Sequence, residues 1–239
     1  MSNKILFIFE GEKTEKQVAD NLTKYFVNSN LNVQCAFCSD IYNLYGRLSD
    51  DEDLDTFAIL KTIEYNKVIL SPYNRNDFAE IYMFFDYDGH IPNANDSVIK
   101  DLLLFFNEET DMGKLFLSYP MVESIKHLND TIDFKELKVK AKENINYKKI
   151  VSEQCGNHLK NLTLLTKENW LEIIESHLKK MNFIVNDNYS LPTSIISQVV
   201  VFQNQLSKYL EIDSTVAVLS AFPVFLLDYY GIKKTTDLL

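Results

Sequence analysis

The sequence predicts an α/β fold, a parallel sheet flanked by helices, followed by a helical C-terminal extension. Three observations predict it. Short apolar runs alternate with stretches of helical periodicity over residues 1–129, the order that brings strands into parallel pairing. Two of those runs, 5–9 and 81–85, have no polar interruption, as strands covered on both faces do not. From about Asp130 the apolar spacing becomes helical throughout. The expected division is therefore an α/β domain over 1–129 and a helical subdomain over 130–239.

Each element follows from its own pattern. "ILFIF" at 5–9 reads as a strand, and Val18, Leu22, Tyr25 and Phe26 set a helix over 14–26. Residues 33–37 form a second strand, and a helix follows within 41–66 that "SDDEDLD" either breaks or caps. "KVIL" at 67–70 reads as a short edge strand, 81–85 as the clearest buried strand, and 98–106 as an apolar helix. "KLFLSY" at 114–119 is a further strand, with a helix opening at Pro120, a residue favoured in first turns. Beyond it, helices are expected over 159–165, 170–181, 195–210 and 216–229, with a loop at 186–192.

Composition bounds the function. With 46% apolar and 13% aromatic residues the chain has the material for a core. An acid follows the first apolar run after five residues and no cleavage-site pattern appears, so no signal peptide is expected. The longest apolar stretch, 216–227, is broken by Ser220 and Pro223 and is too short to span a bilayer. A soluble, cytoplasmic protein without a membrane partner is expected. The net charge of -10 argues against a nucleic-acid binder, but it is unevenly placed. Residues 1–129 hold 11 Lys and Arg against 21 Asp and Glu, and residues 130–239 hold 13 of each. The segment 135–149 carries six Lys against two Glu. On a helix, Lys135, Lys138, Lys142 and Lys149 would share a face suited to tracking phosphates.

The informative feature is acid at strand ends. The first run stops at Glu10-Gly11-Glu12, and 81–85 stops at Asp86-Tyr87-Asp88-Gly89-His90. Carboxylates at the tip of a buried strand are costly to desolvate. In parallel sheets that edge is where ligands gather. Asp86 and Asp88, two apart on a strand, would share a face about 6 to 7 Å from each other. A divalent cation relieves their repulsion, and oxygen ligands of this kind suit Mg²⁺ or Mn²⁺. Gly11 and Gly89 let the backbone turn at both places. Cys35, Cys38, Cys155 and His158 could form a zinc site only if two half-motifs far apart in sequence met. Strand alternation would also point Cys35 and Cys38 to opposite faces.

A strand ending in Glu-Gly, then a helix, then a strand ending in Asp-x-Asp-Gly resembles the Toprim superfamily. "FEGEKTE" and "FFDYDGH" are most similar to small stand-alone Toprim nucleases of the OLD and RloB type, associated with bacterial anti-phage defence. The resemblance covers about residues 1–129 and implies a Toprim-like parallel sheet. It implies that Glu10, Asp86 and Asp88 are catalytic and hold Mg²⁺ or Mn²⁺, with DNA or RNA as substrate. Where some members carry a further acid, this chain has His90, so one metal or two stays open; Glu123, in "SYPMVES", could supply the missing carboxylate. His90 and Glu12 are accessory candidates beside the site. Glu10 would either activate water or complete the metal shell. The expected activity is metal-dependent phosphodiester hydrolysis. Two alternatives stand beside it. One is a partner-binding protein on a Toprim shell, using the helical half and the apolar tail from Val216 for a homo-oligomer or a sensor protein. The other is a haloacid-dehalogenase-type phosphatase, for which the Thr after Asp-x-Asp-Gly is missing.

Overall fold

The structure, a computed structural model, describes residues 4–28, 30–51, 53–87 and 96–239. It has a five-stranded, mostly parallel sheet with helices around it and a C-terminal helix. The strands lie in the order β2-β1-β3-β5-β4, formed by β1 (Lys4–Phe9), β2 (Asn32–Phe37), β3 (Glu80–Asp86), β4 (Asn107–Glu108) and β5 (Gly113–Ser118). The chain divides into two compact units, one of residues 1–85 and 101–115, the other of 86–100 and 116–239. Among the described residues no helix is long and apolar enough to cross a membrane.

In the first unit β1 is central, parallel to β2 on one side and to β3 on the other, with Phe9 opposite both Phe37 and Phe84. Phe7 and Phe9 meet the Phe84 ring edge-on or tilted at 5.2 and 5.7 Å, and all three are buried. Each such ring contributes about 1.5–3 kcal/mol by leaving water. Helix α1 (Thr14–Phe26) lays Val18, Leu22 and Phe26 into this core. Asp40 caps α2 (Ile41–Asp50) by accepting the Asn43 N–H at 2.9 Å. Asp55, from the acidic run, caps α3 (Thr56–Thr62) by accepting the Ala58 N–H. Residues 67–70 are not an edge strand: they close helix α4 (Glu64–Leu70). There Asn66 is fully buried, accepts the Phe37 N–H at 3.0 Å and donates to the Phe37 and Leu60 carbonyls. A strand edge at 67–70 would compete for the groups that Asn66 occupies. Helix α5 (Asp96–Phe105) leads into the β4–β5 hairpin. At its turn Gly113 adopts φ +109°, and a Cβ there would meet the Ile81 and Met83 side chains at 3.0 and 3.1 Å.

The second unit corrects several expectations. Pro120 follows a cis Tyr119-Pro120 bond and leads into a short 3-10 helix, Val122–Lys126, not an α-helix. The lysine-rich segment is not one continuous helix either: only its last residues, 147–149, enter one. Leu137, Val139 and Ala141 alternate with Lys138, Lys140 and Lys142, a period of two, and the segment forms β6 (Lys138–Lys140). Its partner is β7 (Thr215–Ala217), antiparallel, where a helix was expected from Val216. After β6 comes α6 (Tyr147–Gln154); residues 159–165 are not an α-helix but hold the end of one 3-10 turn, Asn157–Leu159, and the whole of a second, Leu162–Leu164. Helix α7 (Lys167–Asn186) runs past its expected span at both ends; its earlier start is fixed by a reciprocal capping box of Thr166 and Asn169. Helix α8 (Gln198–Gln205) continues through a π-helical turn, Leu206–Leu210, into the short α9 (Glu211–Asp213). The last helix, α10 (Ala221–Leu238), is interrupted by non-helical Gly231 and packs on α7. Val216, Val218, Leu219, Phe222 and Phe225 are all buried, so the apolar tail forms core and presents no open face.

Candidate acidic site

In the first unit, Glu10 is half-buried and follows the last residue of β1. The turn after it is locked by Glu15, which lies buried in the first turn of α1. Its Oε1 accepts the Gly11 N–H at 3.1 Å. A Cβ on Gly11 would stand 2.7 Å from both Glu15 carboxylate oxygens, so a side chain there would displace the Glu15 carboxylate from its bond to the turn. Glu12 is exposed. Glu15 therefore shapes the backbone that presents Glu10, a role visible in sequence only as an acid near a helix start.

In the second unit the structure gathers a different set. Asp86, half-buried, ends β3; the next residue, Tyr87, turns into the core, as strand alternation requires, and stacks on Tyr119 at 5.7 Å. The Tyr87 hydroxyl donates to Asp96 at 2.8 Å, and Lys142 binds the other Asp96 oxygen at 2.9 Å. Tyr87 and Asp96 flank the segment that carries Asp88, Gly89 and His90, which lie outside the described residues.

Glu123 sits in the 3-10 helix that follows β5, only 6% exposed. That helix is held by the Ser124 N–H on the Met121 carbonyl and the Ser124 hydroxyl on the Leu219 carbonyl. The Lys148 ammonium stands 3.5 Å from Glu123 Oε1. Oε2 accepts no hydrogen bond among the described residues, an expensive condition for a buried carboxylate.

Tyr147 joins these acids. Burial holds its phenol well above the usual tyrosine range, and the negative charges of Glu123 and Asp86 push it the same way. Its hydroxyl lies 2.9 Å from His127 Nδ1, and His127 Nε2 lies 2.9 Å from Gln154 Oε1. An amide oxygen only accepts, so Nε2 carries the proton, Nδ1 accepts, and Tyr147 donates to it. Burial lowers the His127 pKa, consistent with this neutral ring. Beside the site, Pro120, Met121, Ile145, Asn144 and Lys148 line a cavity of about 180 Å³.

The four expected phosphate-tracking lysines do not share a helix face. Lys135 lies in a turn near Glu136 (3.2 Å) with its ammonium over the Phe183 ring, and Lys138 in β6 pairs with Asp213 at 2.6 Å. Lys142 is bound to Asp96, and Lys149 in α6 approaches Glu153 at 3.9 Å. The cation at the acidic cluster is Lys148 instead, which period-based reading of the segment passed over. Cys35 and Cys38, in the first unit, and Cys155, in the second, are free thiols, the first two pushed up to about 11 mainly by burial.

Among the described residues no three His, Cys, Asp or Glu side chains converge into a ready-made cage. Asp86 and Glu123 supply hard oxygen donors, and the partnerless Glu123 oxygen fits a cation or an ordered water. No known protein family, curated protein or solved structure matches the chain.

Proposed function

We propose that this chain is a metal-dependent nuclease that hydrolyses phosphodiester bonds in DNA or RNA. The observation that carries the reading is the buried Glu123 carboxylate, with one oxygen unpartnered among the described residues and Lys148 on the other, in the unit where β3 ends at Asp86. A buried carboxylate in that condition is poorly accounted for by stability alone. Asp86 and Glu123 would hold Mg²⁺ or Mn²⁺, with Asp88 assigned by its sequence motif; for Glu10, in the first unit, a catalytic role rests on the Toprim resemblance alone. The ion, when bound, supplies Lewis-acid stabilisation of charge on the phosphoryl oxygens. Lys148 contributes a cation beside the acids for a non-bridging phosphate oxygen. Tyr147, its proton committed to His127, orients its oxygen without adding charge. A role as an effector of anti-phage defence rests on the resemblance alone.

Calorimetric titration of Mg²⁺ and Mn²⁺ into wild type and Asp86→Ala/Asp88→Ala, alongside cleavage of labelled DNA and RNA, tests this. Saturable binding and cleavage, both lost in the variant, are expected. Wild type that binds neither ion at millimolar concentration with nucleic acid present overturns the nuclease reading and favours a non-catalytic, partner-binding protein. Ion binding with hydrolysis of small phosphomonoesters only would favour the phosphatase.

A further inference from the structure

We propose that the cavity beside the acidic cluster receives one nucleobase of the substrate strand, so that this protein reads base identity next to the bond it cuts. The inference deepens the nuclease reading and rests on it for the identity of the strand. It stands on the second unit alone. At about 180 Å³ the cavity is below the 300–1,000 Å³ typical of sites for larger ligands, and it suits a single flat ring system.

The chemistry of the walls fits a base. Met121 and Ile145 form an apolar floor packed on Tyr147, Val151 and Cys155, which gives a rigid surface to lie against. Asn144 and Asn146, both exposed, put amides on the rim. Asn146 takes the left-handed conformation (φ 52°), and Asn144 Oδ1 accepts the Asn146 N–H at 3.2 Å, leaving the Asn144 amide nitrogen as a donor. An amide offers both donor and acceptor, the complement of a base edge. Bases splayed from a single strand are read in this way, by apolar contact on the face and hydrogen bonds on the edge.

Charge supports the same occupant. Lys140 and Lys148 line the cavity against the single acid Glu143. Lys140 donates to the Asp213 carbonyl at 2.6 Å and is thereby held at the rim. Lys148 belongs to both places, lining the cavity and standing 3.5 Å from Glu123. A nucleotide whose base enters the cavity would set its phosphate toward Lys148 and the acids. An aromatic side chain of a protein partner would match the floor but has no use for the paired cations.

The test is binding of labelled single-stranded homopolymers, both deoxyribo- and ribo-, in chelator, by fluorescence anisotropy. Wild type is expected to prefer one base by at least about fivefold, the lower end of what one base-edge contact provides. Asn144→Ala, at an exposed rim position, should flatten that preference. Ile145→Trp, which fills the cavity, should weaken binding of every homopolymer about tenfold or more. The order of preference in cleavage products, read by sequencing their ends, should follow the binding order. Equal affinity of wild type for all homopolymers, or no binding to any, overturns the proposal, as does a preference that both variants retain. The two readings fail separately. Base-selective binding without metal-dependent cleavage removes the nuclease and keeps the pocket; cleavage with base preference unchanged in both variants removes the pocket and keeps the nuclease.

Discussion

Glu123→Gln takes one negative charge out of a position only 6% exposed, where Oε2 accepts no hydrogen bond among the described residues. A buried polar group without a partner costs about 1–3 kcal/mol, and more when it is charged. Against that, the Lys148 contact at 3.5 Å involves a lysine side chain that is 65% exposed, and a pair of that kind contributes about 1 kcal/mol or less. The difference gives the expected result. In chelator the variant is more stable than wild type by about 1–2 kcal/mol, seen as a higher urea midpoint at unchanged slope. Adding Mg²⁺ reverses the order. A cation bound only by the folded state adds about 2.7 kcal/mol at a hundred times its dissociation constant, and wild type should gain this while the variant gains little. A variant less stable than wild type in chelator, with an equal gain from Mg²⁺, would refute the reasoning and make Glu123 an ordinary structural acid.

Further outcomes follow from other parts of the fold. Gly113→Ala must hold a side chain at φ +109° against Ile81 and Met83, so it should lose about 1–3 kcal/mol in chemical denaturation; an unchanged midpoint would contradict the geometry. Asn66→Leu removes a side chain that bonds both backbone groups of Phe37 and leaves buried groups unpaired, for a loss of about 2–4 kcal/mol by the same assay. Gly11→Ala pushes the Glu15 carboxylate off the Gly11 N–H and should depress cleavage far more than it lowers the melting temperature. Burial lowers the His177 pKa to about 3, so the unfolded chain protonates first as pH falls. Stability from this residue is complete above about pH 6.5 and declines toward pH 3, by about 1.4 kcal/mol per pH unit. His177→Asn should flatten that slope in denaturation curves taken between pH 7 and 5.

The parallel core was legible because its signals are local and redundant. Residues 14–26 form α1 with the bounds that their apolar spacing gives, and 81–85 is flanked by acid on both sides in β3. The misread segments are those where a short pattern fits two structures. "KVIL" reads as strand by composition, yet Val68 is 84% exposed on α4 and only Leu70 is buried. The basic segment was misread because lysines four apart suggest a helix face, while the apolar residues between them keep a period of two. Val216 lies in a strand because β6 is there to pair with it, a partner far away in sequence. The same limit applies to the site. Glu10 and Asp86 stand out because they end strands, but nothing local marks Tyr147 or Lys148 as neighbours of Glu123. Their relation comes from the packing of α6 against the 3-10 helix.

The chain from Tyr147 through His127 to Gln154 has one further consequence. Hydrogen bonds in series suggest a conduit that could carry a proton away from the acids to the surface. This one has a blocked exit, because its last member is an amide oxygen, which does not take up a proton near neutral pH. The series therefore works as a rotational stop. It fixes which way the Tyr147 O–H bond points, and with it the direction in which the oxygen's lone pairs face. On the nuclease reading proposed above, a proton released at the acids would therefore leave through solvent and not along this series.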